Sequence, residues 1–213
     1  MGLALTPQML ENWATARSIA RQLPLPVQDR GGLRVDTGSA DERCRYVFLE
    51  ADRAFEAAAL AITAPYVFLK ACTAPVEVLA IVPPRWTLQS VAWVMLQDPP
   101  CDDPAPRLPA GYMLGVTMAD GVASATVVNS AGRLAARGYG CASGGVYCYD
   151  RIRTEAAHAR RGLGRAIMHA LGRAQPDPGA CRMLTATDDG RALYETLGWR
   201  VVAPYTTIGI PGD

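Results

Sequence analysis

The sequence predicts an α/β protein: a mixed, mostly antiparallel sheet flanked by helices, preceded by a second, N-terminal α/β domain of related topology. Three observations lead there. Short runs rich in β-branched and aromatic residues alternate with helical stretches along the chain. A segment rich in proline and aspartate over residues 98–110 divides the chain into 1–97 and 111–213. Each half also places a tryptophan just after a short apolar helix, in "EVLAIVPPRW" and "RALYETLGW", as a weak internal repeat would.

The elements follow in order. Thr6 and Pro7 form a cap and first turn for a helix through "QMLENWATARSIARQL", closed by Pro24 and Pro26. "GGLRV" and "RCRYVFLE" read as strands, "ADRAFEAAALAI" as a helix and "YVFLKAC" as a buried strand. "PVEVLAIV" is a short helix and "TLQSVAWVML" a strand. After the linker, "GYMLGVTM", "VASATVVN", "LAARGYGCA" and "GVYCYDRIRT" read as successive antiparallel strands joined by Gly, Asp and Asn turns. A helix in "HARRGLGRAIMHAL", a strand in "CRMLTAT" and a helix in "DGRALYETLG" with Gly198 as its C-cap come next. "WRVVAPYTTIGI" is the last strand.

Composition narrows the function. Half of the 213 residues are hydrophobic, 19% are charged and the net charge is +1. That balance fits a globular protein and provides no broad electrostatic footprint for nucleic acid or an anionic membrane, so any anion site must be local. Six scattered cysteines without a C-x-x-C pair, and two histidines, argue against a zinc site and for reduced thiols. No apolar run reaches the ~18 residues of a membrane span and no signal-like segment opens the chain, so a soluble, cytoplasmic protein is expected. The final strand, "YTTIGI", offers a route to a homodimer.

The chemistry concentrates at Ala159-Arg160-Arg161-Gly162-Leu163-Gly164-Arg165, where a strand turns into a helix. Glycine costs ~1 kcal/mol in a helix, so two in one turn mark a backbone that something must approach closely. The unpaired N–H groups of a helix's first turn carry partial positive charge and bind phosphate. Flanking arginines add to that charge, and the turn is shaped for a diphosphate. A P-loop consensus occurs nowhere, and a dinucleotide-binding fingerprint would need a small residue where Ile167 stands.

"IRTEAAHARRGLGRAIMHAL" followed by "ALYETLGW" resembles the acetyl-CoA-binding core of the GNAT acetyltransferase superfamily. Its turn reads [QR]-x-x-G-x-G/A, and the departure here is Ala159 at the first position, with Arg160 and Arg161 beside it. The resemblance is close over about residues 146–199 and implies an N-acetyltransferase that uses acetyl-CoA. It also implies a strand before the turn that splays from its neighbour and pairs with the pantetheine arm through Ile152, Arg153 and Thr154. The N-terminal half would then be a degenerate copy that binds no cofactor. The family's two helices between its first strands are absent, since only Ala119-Asp120-Gly121 joins those strands. The N-terminal half should therefore supply that wall of the acceptor site.

Acetyl transfer needs a deprotonated amine, a polarised carbonyl and a proton for the departing thiolate. The resemblance implies Tyr194 as the proton donor. Asp150, on the same strand parity as Ile152 and Thr154, is the candidate base; a salt-bridged Asp150 with water as the proton path is the alternative. Glu155 and His158 lie near the turn, and Tyr147, Tyr149, Trp86 and Trp93 are candidates for either the acceptor pocket or the core. The expected acceptor is a small-molecule amine. A protein that binds acyl-CoA as a sensor, with weak or no catalysis, is the competing reading.

Overall fold

A helix opens the fold where its sequence signals place it. α1 (Pro7–Ala20) begins with the Thr6 hydroxyl accepting the Met9 N–H at 3.2 Å and Pro7 at the first position. It stops three residues before Leu23, because Gln22 adopts a left-handed φ of 55°. The computed structural model describes residues 4–98 and 105–212, so residues 99–104 of the anticipated linker lie outside the described part.

The first half continues as β1 (Val27–Asp29), β2 (Gly32–Asp36), β3 (Cys44–Phe48), α2 (Arg53–Ala61), β4 (Val67–Ala71), α3 (Pro75–Ile81) and β5 (Thr87–Gln97). The second half is β6 (Tyr112–Ala119), β7 (Val122–Asn129), β8 (Leu134–Ser143), β9 (Val146–Thr154), a 3-10 turn (Ala156–His158), α4 (Leu163–Arg173), β10 (Cys181–Ala186), α5 (Asp188–Glu195) and β11 (Arg200–Gly209). The fold class is as expected: a mixed, mostly antiparallel sheet flanked by helices. Only β1 is new. Three residues next to Pro26 are too short for an alternating pattern, and pairing with β2 makes them a strand.

One sheet runs through both halves, in the order β1-β2-β3-β4-β11-β5-β10-β9-β8-β7-β6. Each half places a strand inside the other. β5 lies between β10 and β11, and β11 lies between β4 and β5, with every one of these pairings antiparallel. Outward from the central β11–β5 pair the arrangement repeats: β3–β4 and β9–β10 are the two parallel pairs, and each is followed by an antiparallel neighbour, β2 or β8. The strand "YTTIGI" therefore has both edges paired, and the expected dimer through it has no free edge to use.

The helices divide unequally between the faces. Phe55, Ala59 and Val78 from α2 and α3 pack with Tyr46, Phe48 and Ile208. Leu163, Ile167 and Tyr194 from α4 and α5 pack with Met95, Tyr149 and Leu184 on the same side. The intervening side chains Val47, Val94, Leu96 and Cys148 point the other way, under Leu10 and Trp13 of α1. Each such buried side chain contributes ~1.5–3 kcal/mol of hydrophobic stabilisation. α1 lies on β8 and β9, so a helix from the N-terminal end covers the sheet face opposite α4.

Candidate functional site

β9 and β10 pair in parallel only over Val146–Cys148 and Cys181–Met183. Beyond that point β9 follows β8, while β10 follows β5 as far as the Ala186–Trp93 pair. The two strands separate, and among the described residues the β10-facing edge of β9 from Asp150 to Thr154 has no strand partner. A bulge helps to turn β9 away: Arg137 pairs with Arg153 but Tyr139 pairs with Asp150, and Arg151 takes a left-handed φ of 51°. Gly138 makes room for this, since a Cβ there would lie 2.4 Å from Ile152 Cδ1. Sequence reasoning missed Gly138, although a glycine within a strand is a signal for a bulge or close approach.

The glycine turn stands at the end of this opening. Glu155 N–H donates to Ala135 C=O, the 3-10 turn follows, and Gly162 caps α4 with φ 76°. A Cβ on Gly162 would meet nothing within 4 Å, so the space before the helix is open and the glycine answers to backbone conformation. Gly164 differs. Its Cβ would lie 3.2 Å from Leu193 Cδ2 and 3.7 Å from Thr154 Oγ1, so its absence lets α4 pack on α5 and β9. Leu163, Ala166, Ile167 and Leu171 are buried and fix the axis of α4, and its first N–H groups receive no side-chain cap from Gly162. Arg160, Arg161 and Arg165 are exposed around them and form no ion pair among the described residues. Arg153 lies 3.8 Å from Glu155, and His158 Nδ1 is 2.8 Å from the Tyr112 hydroxyl. Ala159 lies exposed between the 3-10 turn and the arginines.

Tyr194, on α5, is 7% exposed and shares a buried cluster with Tyr149, Leu163 and Leu184, one from each element that borders the opening. Desolvation pushes its hydroxyl pKa up to about 12, so it stays protonated at neutral pH. Asp150 is caged. Arg21 donates to both of its oxygens at 2.7 and 2.8 Å, Arg151 approaches at 3.1 Å and Arg17 at 3.4 Å. Burial alone would raise the pKa of this carboxyl, but the Arg21 hydrogen bonds and the three positive charges outweigh burial and hold it below its ordinary value. A carboxylate so held has little capacity to take a further proton. Arg17 in the last turn of α1 and Arg21 at its C-cap, both missed in the sequence, stand four apart, a spacing that puts them on one helix face.

The remaining aromatic candidates each hold a contact within the fold. Tyr147 donates its hydroxyl to Leu171 C=O, and Tyr149 stacks edge-on against Trp199. Trp86 donates to Ala59 C=O inside the first half. Trp93 donates to Asp188 at 2.6 Å beneath the Arg191 guanidinium. On the α1 face, next to the β9 bulge, is a cleft of about 310 Å3 lined by Ala20, Gln22, Thr117, Asp120, Tyr139 and Arg151. Arg151 stacks on Tyr139 and donates to the Ala20 C=O, which joins the end of α1 to the bulge. Among the described residues no three His, Cys, Asp or Glu side chains gather as a metal site, the five cysteines are free thiols, and no helix is long and apolar enough to cross a membrane.

Solved structures share this architecture. A GCN5-related N-acetyltransferase from Kribbella flavida matches at TM-score 0.66 and 17% identity, covering 98% of both chains. The fold is that of the GNAT proteins. A GNAT-family protein from Novosphingobium aromaticivorans matches at TM-score 0.60 and 17% identity, over 98% of this chain and 100% of its own. A tandem GNAT protein from the clavulanic acid biosynthesis pathway matches at TM-score 0.52 and 14% identity, over 68% of this chain and 65% of its own. No family model and no curated sequence matches. The GNAT fold thus accommodates a chain whose second half has no helices between β6 and β7, with α1 lying across the sheet face instead.

Proposed function

We propose that the protein is an acetyl-CoA-dependent N-acetyltransferase acting on a small amine. One observation carries the reading: the opening between β9 and β10 ends at the uncapped N-terminus of α4, beside three exposed arginines that form no ion pair among the described residues. Those features suit the two ends of acetyl-CoA. The unpartnered backbone of Ile152, Arg153 and Thr154 would pair with the amides of the pantetheine arm. The N–H groups of Gly162, Leu163, Gly164 and Arg165, with the Arg160, Arg161 and Arg165 side chains, would hold the diphosphate. Ala159, with no side-chain donor, would contribute only its backbone.

The bound cofactor would supply an activated thioester; this chain's residues would orient it and move protons. A backbone N–H near Ile152 or Arg153 would polarise the carbonyl. Tyr194 would donate its hydroxyl proton to the departing sulfur, a role suited to a group that is neutral across the physiological range. The amine would enter the cleft beside the β9 bulge and lose its proton to water there. Asp150 would hold α1 against β9 and so keep that cleft in shape.

The N-terminal half fits a degenerate copy of the same fold that binds no cofactor. Its strand and helix order mirrors the second half about the β11–β5 pair. β3 and β4 stay paired over all five residues, so no opening forms. The Asp52 carboxylate accepts the N–H groups of Ala54 and Phe55 and places negative charge where a phosphate would sit. The chain boundary at 98–110 would be the join between the two copies, in a protein working in the cytoplasm.

Free-thiol release from acetyl-CoA across a panel of small amines tests the reading. Turnover with any of them supports the enzyme. The caged state of Asp150 favours a second reading, an acyl-CoA sensor, and tight binding without thiol release across the panel would support that instead.

A further inference from the structure

The sheet has two edges, and they are unlike. β1 is three residues long and carries Asp29, which accepts from the Tyr46 hydroxyl and lies 3.6 Å from Arg34. A short, charged edge of this kind resists pairing. β6 is eight residues long and has no charged side chain, and every residue after Tyr112 is exposed. Its ladder with β7 is regular from Tyr112–Asn129 to Ala119–Val122, without a bulge to twist the edge away. Leu114, Val116 and Met118 are exposed on the α4 face and Met113 on the other, at 37%, 43%, 58% and 65%. No proline, lysine or inward charge protects it.

We propose that β6 pairs with β6 of a second copy, antiparallel, and joins two eleven-stranded sheets across a two-fold axis. The sequence of the strand allows a register in which every pair is uncharged. A two-fold normal to a sheet keeps each side chain on its own face, so the axis must pass through a residue rather than between two. Centred on Val116, it sets Val116 opposite Val116 of the second copy and Leu114 opposite Met118, twice. On the other face Met113 meets Ala119 and Gly115 meets Thr117. Every pair is uncharged, and the α4 face becomes an unbroken apolar ladder. Asp120, next along, is set against Tyr112 and not against its own copy.

Eight residues at ~3.4 Å each make a seam of ~27 Å. Pairing along it would cover the open backbone edge and the four exposed apolar side chains of both copies. The other apolar strand at hand, the end of β11, is already paired on both sides. The pairing is independent of the acetyltransferase reading.

Sedimentation of the full chain, with site-directed cross-linking, tests it. The parent chain should sediment as a dimer, and Val116→Lys, which puts two ammonium groups at the axis, should sediment as a folded monomer with the parent's circular dichroism spectrum. Under mild oxidation Val116→Cys should form a covalent dimer well above the parent background. Leu114→Cys alone should not, and Leu114→Cys with Met118→Cys should. A parent chain that is monomeric at the cross-linking concentration overturns the proposal. So does a dimer that survives Val116→Lys, or one in which Leu114→Cys cross-links as fast as Val116→Cys.

Discussion

Replacing Asp150 with asparagine separates two roles that the sequence could not tell apart. The carboxylate is 6% exposed and receives Arg21 through two hydrogen bonds, with Arg17 and Arg151 close by. Removing its charge leaves three guanidinium groups facing a neutral amide. Breaking a fully buried ion pair costs ~3–5 kcal/mol. Here the arginine side chains keep 17%, 24% and 41% of their exposure, so water recovers part of that and ~2–3 kcal/mol remains. For a chain of this size 1 kcal/mol shifts the melting temperature by ~2–4 °C, so Asp150→Asn should melt ~4–12 °C lower. The dependence on pH follows in sign. The folded-state pKa lies below the unfolded value of ~3.9, so the contribution is complete above that value and is lost as pH falls through the folded one. The gap in melting temperature between parent and variant should therefore be constant from neutral pH down to about 5 and close below about 4. A variant that melts within about 1 °C of the parent at pH 7 and yet loses turnover would refute the anchoring role and restore Asp150 as the base.

Three further outcomes are expected. Arg160→Ala with Arg161→Ala should leave the melting temperature of the free protein unchanged, since both side chains are exposed and unpaired, while the stabilisation by acetyl-CoA seen in the parent shrinks; an undiminished shift would remove these arginines from the site. Tyr194→Phe should lower kcat by ~10²–10⁴ if its hydroxyl is the acid, with little loss of stability; unchanged kcat with chemistry rate-limiting would exclude that role. Residues 1–104 and 105–213 expressed separately should each be insoluble, because each lacks the strand that the other inserts into it, and should form soluble protein when co-expressed; a soluble, folded 105–213 alone would contradict the interleaved sheet.

Most of the elements were legible because they are local. The alternation in "VASATVVN" and the Thr6-Pro7 and Gly198 signals act within a few residues of the structure they produce. What escaped was set by distance along the chain. The strand period of β5 is plain in "TLQSVAWVML", but nothing local says that its neighbours will be β10 and β11, more than 80 residues on. The cage around Asp150 needed Arg17 and Arg21 to arrive from α1, which became visible only once that helix was placed over β9. The glycine turn looks like one device in the sequence and is two: Gly162 serves a left-handed cap, and Gly164 serves helix packing. Both leave the same mark in a sequence, so only the neighbours of the missing Cβ distinguish them.

The most direct measurement is titration calorimetry of acetyl-CoA into the full-length chain. One cofactor site, between β9 and β10 at the start of α4, predicts saturation at one molecule per chain, and the Arg160→Ala, Arg161→Ala variant should bind at least tenfold more weakly. Two molecules per chain would contradict the assignment of the N-terminal half as an empty copy. No binding at all, in a chain shown to be folded, would contradict the acetyl-CoA site itself.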